Sequence, residues 1–200
     1  MLALKYMQEA EKNVPALLDR IGPVKKAAEL VARTITGGRR VFVTDRFGVV
    51  DIEIAEKPGN LALFRPLSRS GEHLASGDTL ILSSFLPDDS ADLEIVSNAR
   101  SVGAGVITLS PEGKLSGSAD VAVLDGGAGM NGVLTVSGSD RPFGPISGIL
   151  HVFLFNMIQA ETAALLIASG KKPTVFPAAY CEGGEEKRNE AMRQFLNQGF

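Results

Sequence analysis

Two groups of polar residues follow short apolar runs in this chain, and both are equipped to hold a polar ligand. After Thr79 to Ser83 (TLILS) come Ser84, Asp88, Asp89 and Ser90; after Arg40 to Thr44 (RVFVT) come Asp45 and Arg46. The hydroxyls of Thr44, Ser83, Ser84 and Ser90 both donate and accept hydrogen bonds. The carboxylates accept them or hold a cation, and a guanidinium such as Arg46 grips a carboxylate or phosphate through paired N–H groups. Each residue also has a plainer reading. Asp89 or Ser90 caps a helix, Asp88–Asp89 forms an acidic turn, and Arg46 makes a surface ion pair with Asp45 or Asp51.

The elements around these residues give them a common place. TLILS is too short and too apolar for a surface helix, so a strand buried on both faces fits it. Leu93, Val96 and Ala99 then recur at helical spacing, Gly103 ends the run, and Gly105 to Leu109 (GVITL) resumes as strand. Such a unit sets its first loop at the carboxyl end of a parallel sheet, where open α/β folds bind ligands. RVFVT reads as an earlier strand of the same kind, followed by a helix from Val49 to about Lys57 that ends at Pro58-Gly59. Leu61 to Phe64 (LALF) and Asp120 to Leu124 (DVAVL) supply two more strands.

At the start of the chain, Ala3, Met7, Ala10, Val14, Leu17 and Ile21 form a helical stripe interrupted at Pro15. The interruption predicts either a kink or two abutting helices. Gly22-Pro23 reads as a break, and Val24, Ala27, Ala28, Val31, Ala32 and Ile35 as an amphipathic helix stopped by Gly37-Gly38. Residues 125–144 are glycine-rich, with Val133 to Val136 a candidate edge strand or hairpin arm. A long helix from Ser147 to Ser169 ends at Gly170, an extended arm covers 171–179, and a charged helix runs from Glu185 to Asn197. Strands alternating with helices predict a parallel α/β sandwich of about five strands. The expectation is one domain over residues 1–200: N-terminal helices to 36, an αβ core over 37–125, and the glycine-rich excursion, long helix and arm over 126–200.

Composition narrows the function classes. With 44% hydrophobic residues the chain can bury a sizeable core, and a formal charge of −3 argues against nucleic acid as partner. A single cysteine, Cys181, excludes an internal disulfide and suits a reducing cytoplasm; the charged N-terminal segment is not a signal peptide. Ile146 to Ala168 comes nearest to a membrane span. It carries His151, Asn156, Gln159, Glu161 and Thr162, which are costly in lipid, so a core or subunit-interface helix is expected and no membrane partner. Two distant histidines and one cysteine do not have zinc spacing. No Walker loop or GxGxxG follows a strand, so neither metal nor nucleotide cofactor is expected.

The order of elements resembles the SIS (sugar isomerase) domain, and the last third is the more specific part. Gly144-Pro145-Ile146-Ser147 opens the long helix, Asn156 and Glu161 lie within it, and Pro173-Thr174-Val175-Phe176 leads to Gly183-Gly184-Glu185-Glu186 and Asn189. That run is similar to the phosphoheptose-isomerase-like branch of the family. The resemblance implies a three-layer αβα sandwich of flavodoxin type and a phosphosugar or sugar-derivative ligand. It also implies a site built between subunits, hence a homodimer or larger. Ser84 stands at the family's first loop serine and Glu94 at its helix glutamate, while Leu86 and Pro87 replace a serine and a glycine. Glu94 and His151 become the candidate acid and base for moving a proton between sugar carbons. Thr44, Asp45, Arg46, Ser83, Ser84, Ser90 and Ser147 become the candidate ligand contacts. For His151 the plainer reading is a hydrogen-bonded core residue, and for His73 an exposed loop residue. Pro87 removes an N–H donor, and Asp88 and Asp89 repel phosphate. Two functions therefore stand side by side: a phosphosugar isomerase, or a catalytically silent sensor or assembly module on the same fold.

Overall fold

The computed structural model describes residues 1–54, 57–67, 73–127, 132–178 and 182–197. Five strands, β1 (Val41–Thr44), β2 (Phe64–Pro66), β3 (Thr79–Ser83), β4 (Gly105–Ser110) and β5 (Val121–Leu124), form one sheet in the order β2-β1-β3-β4-β5. Every neighbouring pair is parallel. The loops that follow β1, β3 and β5 therefore leave from one edge, and β1 and β3 are direct neighbours, with Thr44 in register with Leu82. Asp45 and Ser84 start adjacent turns on that edge.

Alternation along the strands sorts the core into two layers. Val41, Val43, Ile81, Ile107, Leu109 and Val123 face one side, and Phe42, Leu80, Leu82 and Val106 face the other. The first face is covered by helix α2 (Ile21–Thr36), through Val24, Ala27, Ala28, Val31 and Ile35, and by a 22-residue helix, Ser147–Ala168. The second face is covered by helix Ser90–Ser101, through Val96 and Ala99, and by a short helix at Lys114–Gly117 through Leu115. In chain order the helices are α1 (Leu2–Ala16), α2, α3 (Val49–Ile54), α4 (Ser90–Ser101), α5 (Lys114–Gly117), α6 (Ser147–Ala168) and α7 (Gly184–Leu196). The result is the expected α/β sandwich with helices on both sides of the sheet. By length and composition α6 could cross a membrane. Here it packs on the sheet, with Leu150, Leu154, Phe155 and Ile158 in the core and His151, Gln159 and Thr162 buried beside them.

Several elements depart from expectation. Helix α1 itself buries no residue: Met7 is exposed and Tyr6 and Val14 lean on the core, while Leu17 of the stripe is buried just past the helix end. Pro15 sits in the last turn of α1, and a 3-10 turn (Leu17–Arg20) links directly to α2. Gly22-Pro23 is no break, because both residues lie in the first turn of α2, where a missing N–H costs nothing. β2 is shifted to Phe64–Pro66. Leu61 instead bridges Val175 in antiparallel fashion, since the arm after α6 pairs with it through Ala62 N–H to Thr174 O and Phe176 N–H to Asn60 O. Val133 to Val136 forms no strand, but its start is a short hairpin arm: Leu134 bridges Phe143 in antiparallel fashion and Val133 N–H reaches Gly144 O. The Ser/Gly-rich link between β4 and β5 holds α5. Cys181 lies outside the described residues.

Candidate functional site at the carboxyl edge of the sheet

The loop after β1 is shaped by one carboxylate. Asp45, buried at the strand end, accepts the N–H groups of Phe47 at 2.6 Å and Val50 at 2.5 Å, and so caps the start of α3. Thr44 is buried just before it. Because Asp45 is occupied by the backbone, it is not the partner of Arg46, and neither is Asp51. Arg46 crosses to the next loop, where its Nη1 pairs with Asp89 and its Nε lies 3.9 Å from Asp92. Phe47 beside it packs at 5.6 Å on Phe85 of that loop.

The loop after β3 is tied down just as firmly. Ser84 is buried; its hydroxyl donates to Asp92 Oδ2 at 2.5 Å and accepts Leu86 N–H. Asp88 accepts Lys114 N–H at 2.8 Å and Pro87 O accepts Leu115 N–H, which lashes the loop to α5. Asp89, not Ser90, caps α4, accepting N–H groups from Ala91 at 2.9 Å and Asp92 at 3.1 Å. Those bonds, the one from Asp92 first, together with Ala91 and the Arg46 guanidinium, hold the Asp89 carboxyl below its ordinary range. Asp92 shows the opposite. Burial pushes its pKa up, against the pull of Ser84 and Arg46. Ser90 and Glu94 are exposed on α4, and Glu94 turns away from the buried face that carries Asp92, Val96 and Ala99.

A third set of residues meets beneath these loops. Ser83 Oγ lies 2.8 Å from His151 Nδ1, and His151 Nε2 lies 3.0 Å from Asp125 Oδ2. The carboxylate requires the proton on Nε2, which leaves Nδ1 to accept from the Ser83 hydroxyl. Asp125 Oδ1 is held by Gly127 N–H at 2.8 Å. All three side chains are buried, and Phe85 stacks on the imidazole at 4.7 Å. Phe85 also borders an open cavity of about 650 Å³, whose walls include Phe47, Val49, Ile149 and Phe153, with Ser147 and Asn156 as its polar groups among the described residues. Gln159 donates to Asn156 Oδ1 at 2.9 Å, leaving the Asn156 Nδ2 donor for the cavity.

The structure thus gathers Thr44, Asp45, Arg46, Ser83, Ser84, Ser147 and His151 at one edge, and leaves Ser90 and Glu94 on the outer surface of α4. His73 is exposed, its carbonyl accepting from Arg40. Two residues of the site were not foreseen. Asp125 directly follows β5, the position that Asp45 holds after β1, and that equivalence was its signal. Asp92 shares the helical face of Val96 and Ala99, four and seven residues on, yet an acid in a first turn reads as a dipole partner rather than a buried group. Among the described residues no group of three or more metal-ligating side chains occurs.

Comparison with known proteins agrees with this architecture. No protein-family profile matches the chain. UPF0309 proteins of Brucella canis and Brucella abortus are each 25% identical over 230 residues, covering 94% of this chain and 94% of theirs. Among solved structures, a phosphoheptose isomerase from Francisella tularensis superposes with a TM-score of 0.55 at 14% identity, covering 81% of this chain and 97% of its own. The phosphoheptose isomerase of Neisseria gonorrhoeae gives 0.51 at 19% identity, covering 81% and 91%. The sugar isomerase domain of an RpiR transcription factor from Sphaerobacter thermophilus gives 0.53 at 14%, covering 96% and 97%. The fold is that of the sugar isomerase domain.

Proposed function

We propose that this protein binds a sugar or sugar derivative at the edge formed by the loops after β1 and β3, and that it does so without isomerising it. One observation carries the reading: among the described residues no titratable side chain lines the cavity at that edge, and the polar ones are Ser147 and Asn156. Aldose–ketose isomerisation needs a base within hydrogen-bond reach of a substrate carbon. Glu94 is exposed and outside the cavity wall, and His151 is buried with both ring nitrogens engaged. The fold shared with phosphoheptose isomerases and with the sugar isomerase domain of a transcription factor supports a carbohydrate as ligand. The Asp125–His151 pair favours turnover instead, since an aspartate-oriented imidazole is a proton acceptor in form and Phe85, which stacks on it, borders the cavity.

Thermal-shift titration with free sugars, amino sugars, nucleotide sugars and sugar phosphates tests binding, because a ligand of the native state raises stability with concentration. The expected result is a shift with a sugar and no solvent deuterium entering it. Deuterium incorporation that disappears in His151→Ala would overturn the silent reading in favour of an isomerase, and the absence of any sugar-dependent shift would overturn both. We infer further that the protein pairs with a second copy of itself. Ile149 and Phe153 on α6 and Leu4 and Met7 on α1 are exposed apolar groups, of the kind a homodimer covers.

A further inference from the structure

The amides at the start of a helix, beside an arginine, would ordinarily welcome an anion, and here the chain has filled that place itself. The N–H groups of Ala91 and Asp92 and the Arg46 guanidinium all converge on the Asp89 carboxylate. Beside it, Asp92 is only 2% exposed in its side chain, and its Oδ1 makes no hydrogen bond; that oxygen faces Arg46 Nε at 3.9 Å. A buried carboxylate oxygen without a donor is costly; this one has essentially no exposed surface, so a ligand hydroxyl or amine would satisfy it by displacing the Arg46 side chain beside it. Asp88 and Asp45 add further negative charge to the same two loops.

We propose that Asp89 is a resident anion that excludes phosphate from this corner, so that the ligand presents a hydroxyl or an amine, not a phosphate group, to Asp92. The proposal deepens the sugar-binding reading above and rests on it for the nature of the ligand; the exclusion of phosphate by Asp89 is tested separately. With Asp89 in place, phosphate meets a bound carboxylate where its own oxygens would sit. With Asp89 removed, the two amides and Arg46 are released together to an incoming anion.

The experiment measures binding of inorganic phosphate, and of free hexoses and hexosamines beside their phosphate monoesters, to the full chain by calorimetry. Asp89→Gly opens the helix start at small cost to the cap, and Asp89→Asn keeps the cap while removing the charge. The expected result is that Asp89→Gly binds phosphate at least about tenfold more tightly than the parent, equal to about 1.4 kcal/mol, and that adding Arg46→Ala abolishes the gain. The parent should prefer each unphosphorylated sugar to its phosphate ester, and Asp92→Ala should weaken that sugar. A folded Asp89→Gly protein with no gain for phosphate would overturn the proposal. If that variant does not fold, the parent and Asp89→Asn decide it: phosphate bound equally well by both would overturn it. A parent that prefers the phosphate ester overturns this proposal while leaving the sugar-binding reading intact. A phosphate gain in Asp89→Gly with no sugar bound by any variant upholds the exclusion and sinks the reading.

Discussion

Replacing His151 by alanine removes the centre of the buried Asp125–His151–Ser83 chain, and its consequence can be worked out from the contacts. The substitution strips Asp125 of a partner at 3.0 Å and leaves its carboxylate with Gly127 N–H in a site that excludes water. It also leaves the Ser83 hydroxyl without its acceptor at 2.8 Å, and Phe85 without the ring it stacks on at 4.7 Å. Stranding a buried carboxylate without its partner costs about 3–5 kcal/mol, because the charge left behind is uncompensated. For a domain of this size about 1 kcal/mol corresponds to about 2–4 °C, so Tm should fall by about 6–20 °C. Asp125→Asn keeps an acceptor for Nε2–H and should cost about 1 kcal/mol, whereas Asp125→Ala leaves a buried imidazole donor unpaired and should cost about 1–3 kcal/mol. Urea unfolding of parent, single and double variants measures these values, and the Asp125→Ala, Ser83→Ala double variant should deviate from additivity because both residues hold one ring. A His151→Ala protein whose stability falls by less than about 1 kcal/mol would refute the reasoning, because the chain would then not be formed as described.

Further outcomes follow from other residues. Asp92 has its pKa raised by burial from 3.8, so the folded state binds a proton more readily than the unfolded chain. Its ionisation thus destabilises above the folded pKa and is without effect below the unfolded one. Asp92→Asn should therefore raise Tm at neutral pH, with the gain vanishing in acid below about pH 4, as thermal melts across pH will show. Ser84→Ala removes the donor to Asp92 and should cost about 1–3 kcal/mol in urea unfolding, along with weaker binding of any sugar found in the screen. Gly132→Ala should be strongly destabilising: φ is +98° and an added Cβ would come within 2.3 Å of the Phe143 backbone. The conformational part alone is about 1–3 kcal/mol, read by the same unfolding assay. Sedimentation should give a dimer or larger particle, and Phe153→Glu on the exposed face of α6 should shift it toward monomer without changing the circular dichroism spectrum.

Much of this molecule was decided locally. β3 occupies the predicted residues, and α6 ends within one residue of its expected end, because buried parallel strands and long helices write dense apolar patterns that neighbours in sequence reveal. Parallel pairing of alternating strands and helices then put Asp45 and Ser84 on one edge with no further information. The weaker elements depart from the local pattern where a distant segment intervenes: β2 slid because the arm around Thr174 pairs with residues near Leu61, and α1 only leans on the core through Tyr6 and Val14.

The site divides along the same line. Residue types and loop positions were enough to nominate Ser83, Ser84 and Arg46, and the resemblance to sugar isomerase domains added His151. Which of them touch was settled only by the packed structure, since Ser83 and His151 stand 68 residues apart and meet through the seating of α6 on the sheet. Arg46 pairs with Asp89, 43 residues away, because Asp45 is already taken by its own backbone. The rotation of α4 about its axis turned Asp92 inward and Glu94 out, a choice made by Val96 and Ala99 against the strands. Periodicity specifies that a helix has a buried face, while the sheet beneath it decides which polar neighbour is carried into that face.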